Sequence, residues 1–128
     1  MPTPLDALTP KRHMRAMQIY KILQAAEWQA FKMAGKTTGA PIDVQDGFIH
    51  FSTAAQVRET AAKHFAEDEG LVLVAFEADA MGALLKWEPS RGGALFPHLY
   101  RELMLSEVLW NCDLPLGPDG HEFPEDLA

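Results

Sequence analysis

The sequence is short of cysteine, of positive charge and of long apolar runs. Its 128 residues include one cysteine, Cys112, which excludes an internal disulfide and a cysteine-based zinc motif. Lysine and arginine number 11 against 18 acidic residues, and the net charge of −7 disfavours duplex nucleic acid or an anionic membrane as partner. No apolar stretch is long enough for a signal peptide or a membrane span. We therefore expect a cytoplasmic protein.

What is present suits one folded domain. Hydrophobic residues make up 48% of the chain, and three Trp and seven Phe supply large buried surfaces. Residues 1–16 hold three prolines and mixed charges, which predicts a loose N-terminal tail. Residues 117–128 are acidic and rich in proline and glycine, which predicts a loose C-terminal tail. A single α+β domain is expected over residues 17–116.

Helices and strands are predicted in an irregular order. Periodicity predicts strands at 17–23, 47–51, 71–76, 85–88, 95–103 and 107–114. It predicts helices at 25–34 and 53–67, and a loop at 36–46. In the last strand, alternation places Val108, Trp110 and Cys112 on one face. Because strands and helices do not alternate regularly, a doubly wound parallel sheet is disfavoured and a mixed α+β sandwich is expected.

The first candidate site lies where a short strand meets a helix. Alternation puts Phe48, His50 and Ser52 on one face of the strand. The helix begins at Thr53, where free N–H groups and the positive end of the helix dipole could hold a phosphate or carboxylate. His50 would donate a proton or a hydrogen bond to that ligand. The structural alternative makes Thr53 only a helix cap and His50 a hydrogen-bonded core residue.

The second candidate site combines an arginine with a polar strand face. Arg91 lies in a glycine-rich loop, and its planar guanidinium suits phosphate or carboxylate. His98, Tyr100 and Glu102 share one face of an extended segment and offer an acid, a hydrogen-bond donor and a base. The structural alternative has Tyr100 packed and Glu102 solvated.

The two histidines are expected to converge. Polar groups on a core-facing strand surface cost free energy unless they are paired. We therefore expect His50 and His98 to share one pocket, with Lys21 beside them. No pair among the histidines and Cys112 has a recognised metal-ligand spacing, so no metal site is assigned.

Four short strings carry a family resemblance. The strings IYKI at 19–22, DGFIHFST at 46–53, WE at 87–88 and FPHLY at 96–100 resemble the bacterial domain-of-unknown-function family DUF952. The resemblance covers roughly residues 19–114. It implies no established activity.

A more distant similarity concerns ADP-ribosyltransferases. Residues 47–65 resemble their second core strand and the helix that follows it. By that similarity, His50 takes the place of a tyrosine that stacks on nicotinamide, and Glu102 matches the catalytic glutamate. Lys21 stands where those enzymes carry a histidine or arginine that holds the adenosine ribose, which is a departure. The similarity implies a split, curved mixed β-sheet sandwich with two or three helices, and NAD or another ADP-ribose-bearing ligand.

Three hypotheses follow. The first is a transferase acting on an NAD- or ADP-ribose-like nucleotide or a phosphate ligand, with a histidine and arginine arrangement similar to that of RNA 2′-phosphotransferases. Its catalytic residues would be His50, His98 and Glu102, and its ligand-binding residues Lys21, Ser52, Thr53, Arg91 and Tyr100. The second is a non-catalytic module of the same fold that binds a small molecule or a partner. The third gives the two histidines a purely structural role.

Overall fold

A computed structural model describes residues 17–127, apart from the side chain of Arg91. The N-terminal segment 1–16, for which a loose tail is expected, lies outside the described residues. Within the described range the fold is α+β, with eleven β-strands and three α-helices. None of these helices is long and apolar enough to cross a bilayer.

The helices all lie in the first half of the chain. The elements there are β1 Gln18–Gln24, α1 Ala25–Ala34, β2 Lys36–Thr37, α2 Pro41–Asp46, β3 Ile49–His50, β4 Ser52–Thr53 and α3 Ala54–His64. The second half contributes strands joined by short 3₁₀ turns. These strands are β5 Leu71–Glu77, β6 Leu85–Pro89, β7 Leu95–Leu99, β8 Leu103–Met104, β9 Val108–Leu114, β10 Leu116–Gly117 and β11 Gly120–His121.

Two antiparallel sheets meet at one segment of the chain. The main sheet has the strand order β4-β1-β5-β9, and the second sheet has the order β3-β7-β6. The chain leaves the second sheet after β3 and enters the main sheet at β4. Between these strands the N–H of Phe51 donates to the carbonyl oxygen of Pro97 at 3.0 Å. His50 therefore lies at the junction of the two sheets.

The strand pairs differ from the mixed sheet that was expected. Every pair in the described part of the chain is antiparallel. A parallel pair needs a long crossover connection, usually a helix packed on the sheet. The chain between β1 and its partners β4 and β5 does contain helices, but these pairs also run antiparallel, so the sheets are antiparallel throughout this range.

The main sheet is covered on both faces. Trp28 and Phe31 of α1, three residues apart on one helix face, belong to the core cluster on one face of the sheet. Val57 and Ala61 of α3 belong to the core cluster on the other face. Strand β5 is buried along Leu71–Phe76, because side chains on both of its faces meet a core. The predicted helix at 25–34 and the predicted central strand are both confirmed.

The segment 36–46 is not the loop that was expected. It forms β2 and then α2, which begins at Pro41 and is followed by Gly47 in the left-handed conformation at φ 87°. The carboxylate of Asp43 accepts a hydrogen bond from the N–H of Ala40 at 2.8 Å. Proline at the first position and glycine after the last are typical of a helix, and they outweigh the general turn composition of the segment.

Strand β9 does not keep Val108 on the same face as Trp110 and Cys112. Ala75 pairs with Trp110, whereas the next residue of β5 pairs with Val108, so the register shifts by one residue. The irregularity turns Val108 toward the first core cluster, while Trp110 and Cys112 pack on the second. An extra residue in one strand reverses the alternation beyond it, which explains why the shared face was wrongly predicted.

The C-terminal segment also differs from the expectation of a loose tail. Strands β10 and β11 form a hairpin, and Phe123 and Leu127 pack against the second core cluster. The guanidinium of Arg58 lies 5.3 Å from the centre of the Phe123 ring and donates to the carbonyl oxygen of Pro124 at 3.3 Å. The apolar side chains of the segment are partly buried against this core cluster. The proline and glycine content of the segment did not indicate this packing.

Candidate functional site

Strand pairing brings the two predicted histidines together. His50 of β3 is the register partner of His98 of β7, and their ring centroids are 5.3 Å apart. The Phe48 ring contacts both imidazoles, with centroid distances of 4.6 Å to His50 and 4.2 Å to His98. Both histidines line a cavity of about 550 Å³, which is called the cavity below.

The cavity takes in four of the predicted site residues. Those four are Lys21, His50, Ser52 and His98. Of the remaining predicted residues whose side chains the structure describes, three do not line it. Those three are Thr53, Tyr100 and Glu102. The side chain of Arg91 lies outside the described part of the structure.

Asp43 is the centre of a buried polar network. Its side chain has no exposed surface, and its Oδ2 lies 2.8 Å from Nζ of Lys21. Its Oδ1 lies 2.5 Å from Nδ1 of His50 and also accepts the N–H of His50 at 3.1 Å. Lys21 Nζ donates in addition to the carbonyl oxygen of His50 at 2.9 Å. The network therefore fixes both the backbone and the ring of His50.

The ion pair explains why a lysine can lie on a core strand. Lys21 is 7% exposed, and a buried ammonium is tolerated only with a close counter-ion and further acceptors. Asp43 and the His50 carbonyl supply them. Lys21 is therefore held by the protein itself, which leaves less of its charge for an anionic ligand than the sequence led us to expect.

The pKa of Asp43 makes part of the stability dependent on pH. Burial raises this pKa, but the hydrogen bond from His50 and the charge of Lys21 lower it by more. The pKa of Asp43 therefore falls from 3.8 to about 2. Because the folded pKa is the lower one, the stabilisation is complete above about pH 4 and is lost as the pH falls through about 2. We expect a loss of about 2 kcal/mol from this group. Urea unfolding of the protein and of the Asp43→Asn variant between about pH 5 and about pH 2 measures this loss. If the free energy of unfolding falls equally with pH in both proteins, the prediction is contradicted.

The second nitrogen of His50 also faces a carboxylate. Its Nε2 lies 3.0 Å from Oδ2 of Asp46, at the end of α2. With Asp43 on Nδ1, both ring nitrogens have an acidic partner, so a proton on each would be stabilised by a carboxylate. The His50 side chain is 33% exposed, which leaves this ring within reach of solvent or a ligand.

His98 is oriented from the opposite side by Glu88. The Glu88 Oε1 lies 2.7 Å from Nδ1 of His98 and accepts the hydroxyl of Tyr100 at 2.7 Å. The hydrogen bonds from Tyr100 and His98 lower the pKa of Glu88, and Glu88 raises the pKa of Tyr100. An ionised Glu88 can only accept hydrogen bonds, so Nδ1 of His98 carries a proton. This leaves Nε2 of His98 as the nitrogen free for chemistry.

Nε2 of His98 has no hydrogen-bond partner among the described residues. His98 is 5% exposed, so this nitrogen is also withdrawn from bulk water. An unsatisfied buried polar group costs roughly 1–3 kcal/mol. Such a cost is tolerated where function needs the group, and the nitrogen belongs to a residue of the cavity wall.

Two polar groups at the start of α3 are occupied by hydrogen bonds within the protein. The N–H of Thr53 donates to the side-chain oxygen of Gln56 at 3.0 Å. Ser52 shares a hydrogen bond of 2.8 Å with Thr60 of α3. Because these groups satisfy one another, the predicted phosphate site at this junction has fewer free donors than expected.

Glu102 lies apart from the histidines. Its carboxylate is half exposed, and the nearest ion-pair partner in the described structure is Lys36 at 3.8 Å. The structure therefore places Glu102, the predicted match to a catalytic glutamate, outside the cavity. Within the described range, no group of three or more His, Cys, Asp and Glu side chains is arranged to hold a metal ion.

Three carboxylates at the site were missed by the sequence analysis. Asp43 and Asp46 lie in the segment that was assigned to a loop, although Pro41 and Gly47 bracket it as a helix. Glu88 is the second residue of the WE string at 87–88, but nothing local to the sequence links it to His98. A lysine on an apolar strand was a usable signal, since it demands a buried acid.

Comparison with known proteins assigns the family. Residues 22–111 match the family described as "Protein of unknown function (DUF952)". The crystal structure of protein CC0527 from Caulobacter crescentus is 55% identical, with a TM-score of 0.79 over 81% of this chain and 91% of that chain. Its solution NMR structure is 55% identical, with a TM-score of 0.74 over 81% and 90% of the two chains. No curated protein matches the chain. The chain belongs to the DUF952 family, as the resemblance predicted.

Proposed function

We propose that the cavity is the active site of a transferase that acts on an NAD- or ADP-ribose-like nucleotide. The observation that carries the proposal is the pair of imidazoles, 5.3 Å apart, each bound through Nδ1 to a carboxylate. A carboxylate on Nδ1 fixes the ring and stabilises the imidazolium that forms when Nε2 takes a proton. Two such rings side by side suit a transfer in which one ring takes the proton of an attacking hydroxyl and the other positions the substrate.

The two histidines differ in the role each is suited to. Nε2 of His98 has no hydrogen-bond partner in the described part of the chain, so we assign it the acceptor of a proton from an attacking hydroxyl of the substrate. The charge that develops on the ring is offset by Glu88, which Tyr100 holds in place. When a substrate hydroxyl attacks the ribose carbon of NAD, the bond to nicotinamide breaks and nicotinamide leaves as a neutral molecule that takes no proton. We therefore assign His50, whose ring is held between Asp43 and Asp46, the role of positioning the ribose and leaving group by hydrogen bonding.

The size and walls of the cavity support a nucleotide-like ligand. A volume of about 550 Å³ is in the range that encloses a small organic molecule. Apolar and aromatic residues such as Ile22, Phe65 and Phe96 form part of its wall. The two sheets that meet beside His50 support the proposed kinship with the split sandwich of ADP-ribosyltransferases. Lys21 and Glu102 do not fit the NAD-binding pattern of those enzymes, so no step is assigned to either.

Ligand titration followed by NMR tests the proposal. NAD, ADP-ribose and a 2′-phosphorylated RNA oligonucleotide are added separately while the imidazole signals are recorded. We expect the signals of His50 and His98 to move with NAD or ADP-ribose. His121 is the internal control. It lies on the C-terminal hairpin, outside the cavity lining, and its ring bonds to the carbonyl oxygen of Asp68. The proposal fails if neither nucleotide moves the two site histidines.

Two observations favour a non-catalytic alternative. Nε2 of His50 is already occupied by Asp46, and Glu102 lies outside the cavity. A module of this fold that only binds its ligand would show saturation without product. Product formation at saturating ligand, abolished in a folded His50→Ala variant, would rule this alternative out.

A further inference from the structure

We infer that the cavity selects its ligand by a positively charged organic group, an ammonium or amidinium, rather than by a phosphate or carboxylate. The inference concerns the same cavity and rests on the proposed function only in taking that cavity as a ligand site. It names the chemistry of the group that enters deepest. It concerns that group alone, and it places the phosphates of a nucleotide ligand away from Asp46.

The charges of the cavity wall point to a cation. Among the described side chains that line it, the carboxylates are Glu27, Asp43 and Asp46, and Lys21 is the single ammonium. Lys21 is already paired with Asp43 at 2.8 Å, which leaves two carboxylates without a lysine or arginine in the wall. The wall also includes a third histidine, His64, and only protons on both His50 and His64 would offset the two carboxylates. With fewer protons the wall stays negative near Asp46, and an anionic group placed there would be repelled.

His98 gives an independent reason for a ligand that donates hydrogen bonds. This side chain is nine-tenths buried and lines the cavity, and no residue between 17 and 127 whose side chain is described bonds to its Nε2. Because Nδ1 faces the carboxylate of Glu88, a neutral ring presents a lone pair at Nε2. An ammonium or amidinium brings several N–H donors, whereas a phosphate dianion or a carboxylate brings none.

The apolar part of the wall favours a ring attached to that charged group. Pro41 and Ile42 of α2 line the cavity, and the Ile42 side chain is 54% exposed. Phe65 and Phe96 contribute to the same wall. A ligand with an apolar body and a cationic head would cover these surfaces and place its charge near Asp46.

Three fragments of equal size and different charge test the inference. Benzylammonium, benzyl alcohol and benzoate are each titrated against the whole protein, and dissociation constants are taken from amide and imidazole shifts. We expect benzylammonium to bind at least about fivefold more tightly than benzyl alcohol, with benzoate weakest. Equal affinities, tighter binding of benzoate, or no binding of any fragment would each overturn the inference.

Two variants localise the effect. Asp46→Asn keeps a hydrogen-bond acceptor for His50 but removes a charge, so the preference for benzylammonium should fall at least about threefold. Asp119→Asn removes an exposed charge outside the cavity and should leave the preference unchanged. If both variants behave alike, the selection does not arise in the cavity and the inference is wrong.

The outcomes separate this inference from the proposed function. If benzylammonium binds with the expected preference while NAD and ADP-ribose do not bind, the cation site stands and the nucleotide transferase does not. If a nucleotide moves the signals of His50 and His98 but benzoate binds at least as well as benzylammonium, the transferase stands and the cation site does not.

Discussion

Replacement of Asp43 by alanine is expected to lower the free energy of unfolding by about 3–5 kcal/mol. The change leaves the ammonium of Lys21 buried at 7% exposure without its counter-ion. It also removes the acceptor for Nδ1 of His50 and for the N–H of Ala40, the residue that precedes α2. A buried charge that loses its partner costs more than the pair ever contributed. Urea unfolding monitored by circular dichroism measures the loss.

Asp46→Ala is the matched control. Asp46 lies on the same short helix and contacts the same histidine, but its side chain is 37% exposed. An exposed ion pair contributes about 0–1 kcal/mol, so we expect the control to lose no more than that. Equal losses for the two variants would contradict the central role assigned to the Asp43 network.

Removal of both charges separates burial from bonding. In the Lys21→Met, Asp43→Leu double variant no buried charge is left unpaired, and replacement of a buried ion pair by apolar side chains is often neutral or stabilising. We therefore expect the double variant to recover most of the stability lost in Asp43→Ala. His50 would keep its ring partner at Asp46 but lose the one at Nδ1.

The elements predicted from sequence are those whose signal is local. Helix α1 has its apolar residues three apart, and Gly35 follows it in the left-handed conformation at φ 80°. Strand β5 is a continuous apolar run, which is typical of a strand buried on both faces. In each case the period of the side chains decides the structure without knowledge of the rest of the chain.

The carboxylates of the site depend on the path of the chain. Lys21 demanded a buried acid, but 18 acidic residues were available. Asp43 is the partner because α2 folds back over β1 and β3, and Glu88 reaches His98 because β6 pairs with β7. Neither contact leaves a trace in the spacing of residues, since both come from strand register and tertiary packing.

The meeting of His50 and His98 could be anticipated by an energetic argument. An imidazole on an apolar strand needs a polar partner, and two such strands place their polar residues together. Their catalytic roles stay predictions. Glu102 was assigned from the alternation of an extended segment and from a family pattern. Strand β7 ends at Leu99, so the alternation does not reach Glu102, and the structure puts that residue outside the cavity.

The largest effect on activity is expected from His98→Leu. If Nε2 of His98 accepts a proton in the reaction, its loss should lower kcat/KM by about 10²–10⁴. Measurement of nucleotide consumption by the protein and the variant checks this. Tyr100→Phe, which keeps His98 and removes only one of the two hydrogen bonds to Glu88, should lower kcat/KM by less, roughly tenfold.

The stability of the same variant separates a catalytic histidine from a structural one. His98→Leu loses the hydrogen bond to Glu88, but the Glu88 side chain is 36% exposed and can be rehydrated. The variant also removes an unsatisfied buried nitrogen, so the two changes offset and the free energy of unfolding should move by less than about 1 kcal/mol. If His98 served the fold alone, its replacement would lower the free energy of unfolding by several times that amount. A large loss of stability with unchanged nucleotide turnover would therefore show that His98 has a structural role and not a catalytic one.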